Sequence, residues 1–233
     1  MDEKIFNRIE KKYLLDTPTK KRFLAALEKN MREDKYFKSE IFNIYFDTDN
    51  FDLIIKSIEN PNFKEKFRAR GYGGFNKVFL EIKTKNKEND VRVSHKRRVL
   101  LTHKKYKKFA KGEKTAEELV GGQIAKEIDY LVSYFDLKPQ ILIYYDRRSY
   151  TGENGLRITF DEHLSYRDKS LDFKRTVHDK HYFDDKKNII MEIKAAGAMP
   201  LWLVHLLSEN KIYPERFSKV GKIYEKIRKE QNV

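Results

Sequence analysis

The stretch FLEIKTK (Phe79–Lys85) sets Glu81, Lys83 and Lys85 at alternate positions, with Leu80 and Ile82 between them. A period of two is the side-chain repeat of a β-strand, so the charged and apolar residues lie on opposite faces. The same core returns in IIMEIKA (Ile189–Ala195), where Glu192 and Lys194 oppose Met191 and Ile193. FKEKFRARGY (Phe63–Tyr72) puts Lys66, Arg68 and Arg70 opposite Phe67 and Ala69. LRITFDE puts Arg157, Thr159 and Asp161 opposite Leu156, Ile158 and Phe160, and RIEKKYLL puts Arg8, Glu10 and Lys12 opposite Ile9.

One such strand is a solvated sheet face. Five of them, mostly cationic on the same side, ask for more, because like charges placed side by side across strands repel. Closing the sheet removes its edges and turns the charged side inward, with helices covering the apolar exterior. Arg and Lys gathered in this way need a polyanion, since burying unpaired like charges is costly. Phosphate chains suit them: Arg offers a bidentate fork and Lys a point charge. Alternation also predicts strands over Phe6–Leu15, Ile41–Thr48, Lys77–Lys85, Val91–Leu101, Ile141–Tyr150, Leu156–Leu164 and Asn188–Ala195, with a glycine-rich hairpin turn at GYGGFN. The expected fold is α+β: a closed antiparallel β tunnel of about eight strands, helices packed outside, formed by residues 1–233 as a single domain.

Helices are predicted over Asp16–Asn30, with Thr17 as N-cap and Pro18 in the first turn, and over Thr115–Phe135, weakened by Gly121-Gly122. Two more close the chain, at Pro200–Asn210 and Ser218–Gln231. KKYKKFAKGEK (Lys104–Lys114) reads as a solvated basic face, and Trp202 and Leu203 read as helix core. His178 and His181 read as a surface pair, which makes zinc improbable.

The 233 residues carry 50 Lys and Arg against 36 Asp and Glu, a formal charge of +14, which calls for an anionic partner. The absence of Cys excludes disulfides and thiolate chemistry, and points with the lack of a secretory h-region to the cytoplasm. No apolar run approaches the roughly 20 residues of a transmembrane helix. Fourteen Tyr and 16 Phe could stack bases, but no clamp motif organises them, so nucleic acid is not the expected partner.

Taken in order, RIEKKY, YFDT, FRAR, LEIKTK, YDRRSY, LRITFD, MEIK, PLWL and FSKVGK resemble the polyphosphate polymerase domain of the vacuolar transporter chaperone (VTC) proteins. That domain belongs to the triphosphate tunnel metalloenzyme superfamily, and the resemblance runs from Arg8 to about Lys222. It implies an ATP-polyphosphate phosphotransferase that moves the γ-phosphate of ATP onto inorganic polyphosphate and releases ADP. The positions it implies for binding are Lys12, Arg68, Arg70, Lys83, Lys96, Tyr145, Arg147, Arg157, Arg216, Ser218 and Lys219. Arg68, Arg70, Lys83, Arg147 and Arg157 would carry the triphosphate, Lys194 would pair with a neighbour or a phosphate, and Glu192 would hold the metal, Mn²⁺ or Mg²⁺. Fungal members also carry an N-terminal inositol-polyphosphate-sensing domain and membrane spans, for which no counterpart is expected here.

The superfamily's hydrolases typically begin Glu-x-Glu-x-Lys, whereas this chain reads Arg8-Ile9-Glu10-Lys11-Lys12. A hydrolase must position and deprotonate water. A polymerase uses a phosphate already anionic at neutral pH, and needs chiefly alignment and charge neutralisation. Two alternatives remain, a metal-dependent triphosphatase of the same fold and a non-catalytic module holding polyphosphate or RNA.

Overall fold

The computed structural model describes residues 8–60, 62–74, 76–88, 91–182 and 188–231. Phe6 and Asn7 of the first expected strand lie outside them, as does the side chain of Arg8. Among these described residues nine strands and seven α-helices follow in the order β1 (Arg8–Leu15), α1 (Thr17–Leu27), β2 (Arg32–Asp47), α2 (Asp52–Glu59), β3 (Phe63–Tyr72), β4 (Lys77–Glu88), β5 (Val91–Thr102), α3 (His103–Ala110), α4 (Ala116–Val120) and α5 (Gln123–Phe135). The chain continues through β6 (Lys138–Thr151), β7 (Arg157–Arg167), β8 (Lys180–His181), β9 (Ile189–Ala196), α6 (Leu201–Glu209) and α7 (Lys219–Gln231).

The strands form one sheet in the order β1-β9-β7-β6-β2-β3-β4-β5, with β8 paired to β7. The pairs β1/β9, β7/β9, β2/β3, β3/β4 and β4/β5 are antiparallel. The antiparallel α+β expectation is met. β1 and β5 stand at the two ends of the order, and hydrogen bonds among the described residues do not join them.

Two compact units share this chain. The first comprises Met1–Glu40, Tyr145–Leu164 and His181–Phe217, the second Ile41–Tyr144, Ser165–Lys180 and Ser218–Val233. Each has its own apolar core on one side of its strands. In the first, Tyr13, Leu15, Ile158, Phe160, Met191 and Ile193 pack against Phe23 and Leu27 of α1 and Leu203 of α6. In the second, Phe67, Ala69, Leu80 and Ile82 pack against Tyr106 and Phe109 of α3 and Ile128 of α5. These are the apolar positions of the period-two pattern, and burying them is the main stabilising term in each unit.

Local chemistry sets the helix ends. Asp16, not Thr17, caps α1: its carboxylate accepts from Thr19 N at 2.7 Å, and Pro18 fits the first turn because it has no N–H to satisfy. The helix expected over Thr115–Phe135 divides into α4 and α5 because Gly121 and Gly122 take φ of 67° and 87°, which ends one helix and starts the next. The basic run Lys104–Lys114 holds a helix that the lysines conceal, α3, capped by Thr102 and anchored by Tyr106 and Phe109. Arg167, buried on β7, ties the segment after it: its guanidinium donates to Ser170 O, Lys174 O, Asp172 and Asp179.

Candidate functional site

In the second unit, the face of β3, β4 and β5 opposite the core carries the charge. The register aligns Lys66, Lys83 and Lys96 as direct neighbours, and sets Arg68 beside Glu81 and Glu81 beside Arg98. Glu81, 1 % exposed, is the hub. Arg68 donates to its Oε2 from Nε at 2.9 Å and Nη2 at 2.7 Å. Lys96 Nζ lies 2.6 Å from Oε1, while Arg70 Nε and Arg98 Nη1 stand off at 3.8 and 3.9 Å. Four cations thus surround one carboxylate. Burial pushes the Glu81 carboxyl up, but Arg68, Arg70 and Lys96 outweigh it and hold the group at about 2.

Uncharged side chains orient these cations. Tyr45 OH accepts from Arg68 Nη1 at 3.2 Å, and Asn43 Oδ1 accepts from Arg70 Nε at 2.8 Å. Asn43 is itself fixed by donating Nδ2 to Ile143 O. Lys66 Nζ donates to Ser218 Oγ at 2.8 Å, and the same oxygen accepts from Gly221 N at the start of α7, beside the half-buried Lys219. Of the sequence-predicted residues, Arg68, Arg70, Lys83, Lys96 and Ser218 therefore belong to this unit and this face. Alternation along β2 puts Asn43 and Tyr45 on one face, but their neutral side chains gave no charge signal to follow.

In the first unit the charged face is paired almost one to one. Arg147 forks onto Asp161, with Nε at 2.6 Å from Oδ1 and Nη2 at 2.8 Å from Oδ2, and its guanidinium sits 5.4 Å from the Tyr145 ring centre. Burial disfavours the Arg147 charge, but Asp161 foremost, then Tyr145 and Glu192, raise its pKa well above the usual range. Arg157 Nε meets Asp34 at 3.0 Å, and Lys194 Nζ meets Glu192 Oε1 at 2.8 Å. Lys12 faces Glu192 in the register and donates Nζ to Phe217 O at 3.0 Å, while its own carbonyl accepts from Glu215 N. Arg216 is exposed. Asp34, Asp161 and Ser149, whose hydroxyl accepts from Arg157 Nη2 at 3.4 Å, complete the cluster, and none was marked as a site residue by the sequence.

The donors of this face bear on a metal. Glu192 is a buried carboxylate directly across from Thr159, whose hydroxyl is 4 % exposed as a residue and has no hydrogen-bond partner among the described residues. Among the described residues, no three or more His, Cys, Asp and Glu side chains group as a ligand set. One carboxylate beside an unsatisfied hydroxyl fits a hard divalent ion whose remaining positions are phosphate oxygens and waters, and does not fit an all-protein cage. A cavity of about 440 Å³ in the same unit, lined by Lys20, Lys21, Arg148, Glu162 and His181, contains none of the predicted site residues.

The family model described as the VTC domain matches residues 7–227. Subunit 4 of the vacuolar transporter chaperone complex from Schizosaccharomyces pombe is 29 % identical over 154 residues, 58 % of this chain and 21 % of the subunit. The chain thus spans about a fifth of that relative's length. Among solved structures, HpAC1 from Hippeastrum, described as having a dominant triphosphatase activity, aligns with a TM-score of 0.57 and 16 % identity, covering 91 % of this chain and 93 % of that one. A protein from Pyrococcus horikoshii OT3 aligns with a TM-score of 0.53 and 16 % identity, covering 94 % and 99 %. At these identities the two structures show a shared fold. No helix among the described residues is long and apolar enough to cross a membrane.

Proposed function

The chain belongs to the VTC domain family, and on that premise we propose that it is a polyphosphate polymerase using ATP as donor. One observation carries the reading: the Lys66–Lys83–Lys96 row lies beside Arg68, Arg70 and Arg98, which share a single carboxylate. Such a face favours an anion of high charge density. A triphosphate or polyphosphate chain supplies several phosphate charges along a line, and Arg forks with Lys point charges are the side chains that grip it.

The transfer needs little covalent help from the protein. A terminal oxygen of the acceptor chain attacks the γ-phosphorus of ATP, the bond from that phosphorus to the β–γ bridging oxygen breaks, and ADP leaves with the electron pair. The nucleophile is already ionised at neutral pH, so no proton has to be removed first. Arg68, Arg70 and Lys83 align and neutralise the triphosphate, while Arg147 and Arg157 bring charge already fixed by Asp161 and Asp34. Lys12, Lys96, Ser218 and Lys219 guide the lengthening chain, with Tyr145 and Arg216 as further contacts. Glu192, next to the Thr159 hydroxyl, would hold Mn²⁺ or Mg²⁺, which when bound neutralises charge on the transferred group. A cytoplasmic setting, where ATP is supplied, belongs to the same reading, as does a closed β tunnel.

The triphosphatase reading draws support from the described activity of the Hippeastrum structure. Against it stands β1, where the position of the first hydrolase carboxylate is Arg8. Incubation of the purified protein with ATP and Mn²⁺ separates the readings. A ladder of long phosphate chains with ADP supports polymerase, free phosphate without chains overturns it in favour of hydrolysis, and unchanged ATP overturns both.

A further inference from the structure

The phosphate-binding face of the second unit contains a carboxylate where a phosphate-binding surface has no obvious use for one. Glu81 is the most buried charge of its cluster, whereas Lys96 and Arg98, which reach it from β5, have side chains 41 % and 50 % exposed. Arg68 is held from two sides, by Glu81 Oε2 and by Tyr45 OH, and Arg70 is held by Asn43. The anchored groups are thus the Arg68 and Arg70 forks, whereas Lys96 and Arg98 are the groups with an open route to an incoming anion.

We propose that Glu81 is a built-in stand-in for substrate phosphate, keeping the Arg68 and Arg70 forks aimed with the help of Tyr45 and Asn43, and releasing Lys96 to the phosphate when it arrives. Glu81, Tyr45 and Asn43 are positioning residues in this account, since they act through the cations. It rests on the reading of this face as a phosphate site, and does not depend on whether the bound phosphate is polymerised, hydrolysed or simply held. The physical cause is the repulsion among the basic side chains, which a carboxylate at the centre offsets until a stronger polyanion replaces it.

The groups facing Tyr45 make a second readout possible. They are Lys66, Arg68 and Arg70 on β3, Glu81 on β4, and Lys96 and Arg98 on β5 beyond it. Burial pushes the Tyr45 phenol up, yet the charges of Arg68, Lys66 and Arg70, with the Arg68 hydrogen bond, bring it to about 8. A phenolate formed at higher pH lowers the positive charge that attracts phosphate.

The test is inorganic tripolyphosphate binding by calorimetry, run beside ATP turnover, on the full chain and on Glu81→Gln and Tyr45→Phe. Glu81→Gln is expected to bind tripolyphosphate about tenfold tighter while kcat falls about tenfold or more, a split that a general loss of structure does not produce. Weaker or unchanged binding overturns the proposal. If Glu81→Gln unfolds in chloride, refolding on addition of tripolyphosphate supports the stand-in role, and failure to refold overturns it. Tyr45→Phe is expected to bind more weakly than the parent at about pH 7, having lost the Arg68 hydrogen bond, and to lose the further weakening seen as pH rises through about 8. Retention of that further weakening overturns the part given to Tyr45. Should tripolyphosphate behave as described while ATP yields no chains, the polymerase reading fails and this one stands.

Discussion

The two charged faces are built from the same residue types and solve the same electrostatic problem differently. In the first unit Arg147 has Asp161, Arg157 has Asp34 and Lys194 has Glu192. In the second, Arg68, Arg70, Lys96 and Arg98 all gather on Glu81. A one-to-one pair is close to neutral and mainly fixes geometry, because attraction in a low-dielectric site is offset by the cost of desolvation. A four-to-one cluster keeps a net field and therefore draws an anion. Mutations in the first face should thus act on alignment and stability, and mutations in the second on affinity.

The largest effect that would break this division is at Glu192. Glu192→Gln is expected to abolish metal-dependent turnover while leaving tripolyphosphate affinity within about threefold, measured by polyphosphate ladders and calorimetry in parallel. Lost affinity would mean that the first face also carries binding. Next comes Arg68→Ala, expected to cut tripolyphosphate affinity by about a hundredfold, since truncating one member of a hydrogen-bonded charge set costs about 2–5 kcal/mol. Asp161→Asn should show the opposite profile. Stability should fall by about 3–5 kcal/mol in denaturant titration, because the Arg147 charge is left buried without its partner, and binding by the surviving folded protein should change little.

Acid provides a finer probe. Glu81 is held at about 2 in the folded state, below the ordinary 4.5 of a free Glu. Its contribution to stability is therefore complete above that ordinary value and is lost as pH falls towards about 2. Thermal melts through this window should show a loss in the parent that is missing in Glu81→Gln. The smallest expected effect is at Arg216, exposed and outside both clusters. Arg216→Ala should change affinity by about threefold or less, as surface charges do.

Much of this was legible in the amino-acid order. Alternation in FLEIKTK, FRAR, LRITFD and MEIK correctly sorted Glu81, Lys83, Arg68, Arg70, Arg157 and Glu192 from the apolar residues of the two cores. Elements whose signal is hidden or shared were harder to see. Tyr106 and Phe109 are helix anchors three residues apart, but five surrounding lysines read as solvated surface. Gly121 and Gly122 looked like weak points within a helix, and their positive φ makes them its boundary. Partner choice was least visible. Alternation put Asp161 on the charged face of its strand and the family resemblance marked Arg147, but their pairing depends on which strand lies beside which, and that order is set by the whole sheet.

The hold of Lys12 on the segment before α7 matters to anyone who shortens this chain. Its carbonyl and its ammonium grip Glu215 and Phe217, so an end strand of the sheet is tied to residues more than two hundred positions away in sequence. A protein cut before Glu215 loses both ties at once and is left with a looser sheet edge, a ready template for pairing between molecules. Trimming for crystallisation would then trade a tidy terminus for precipitation.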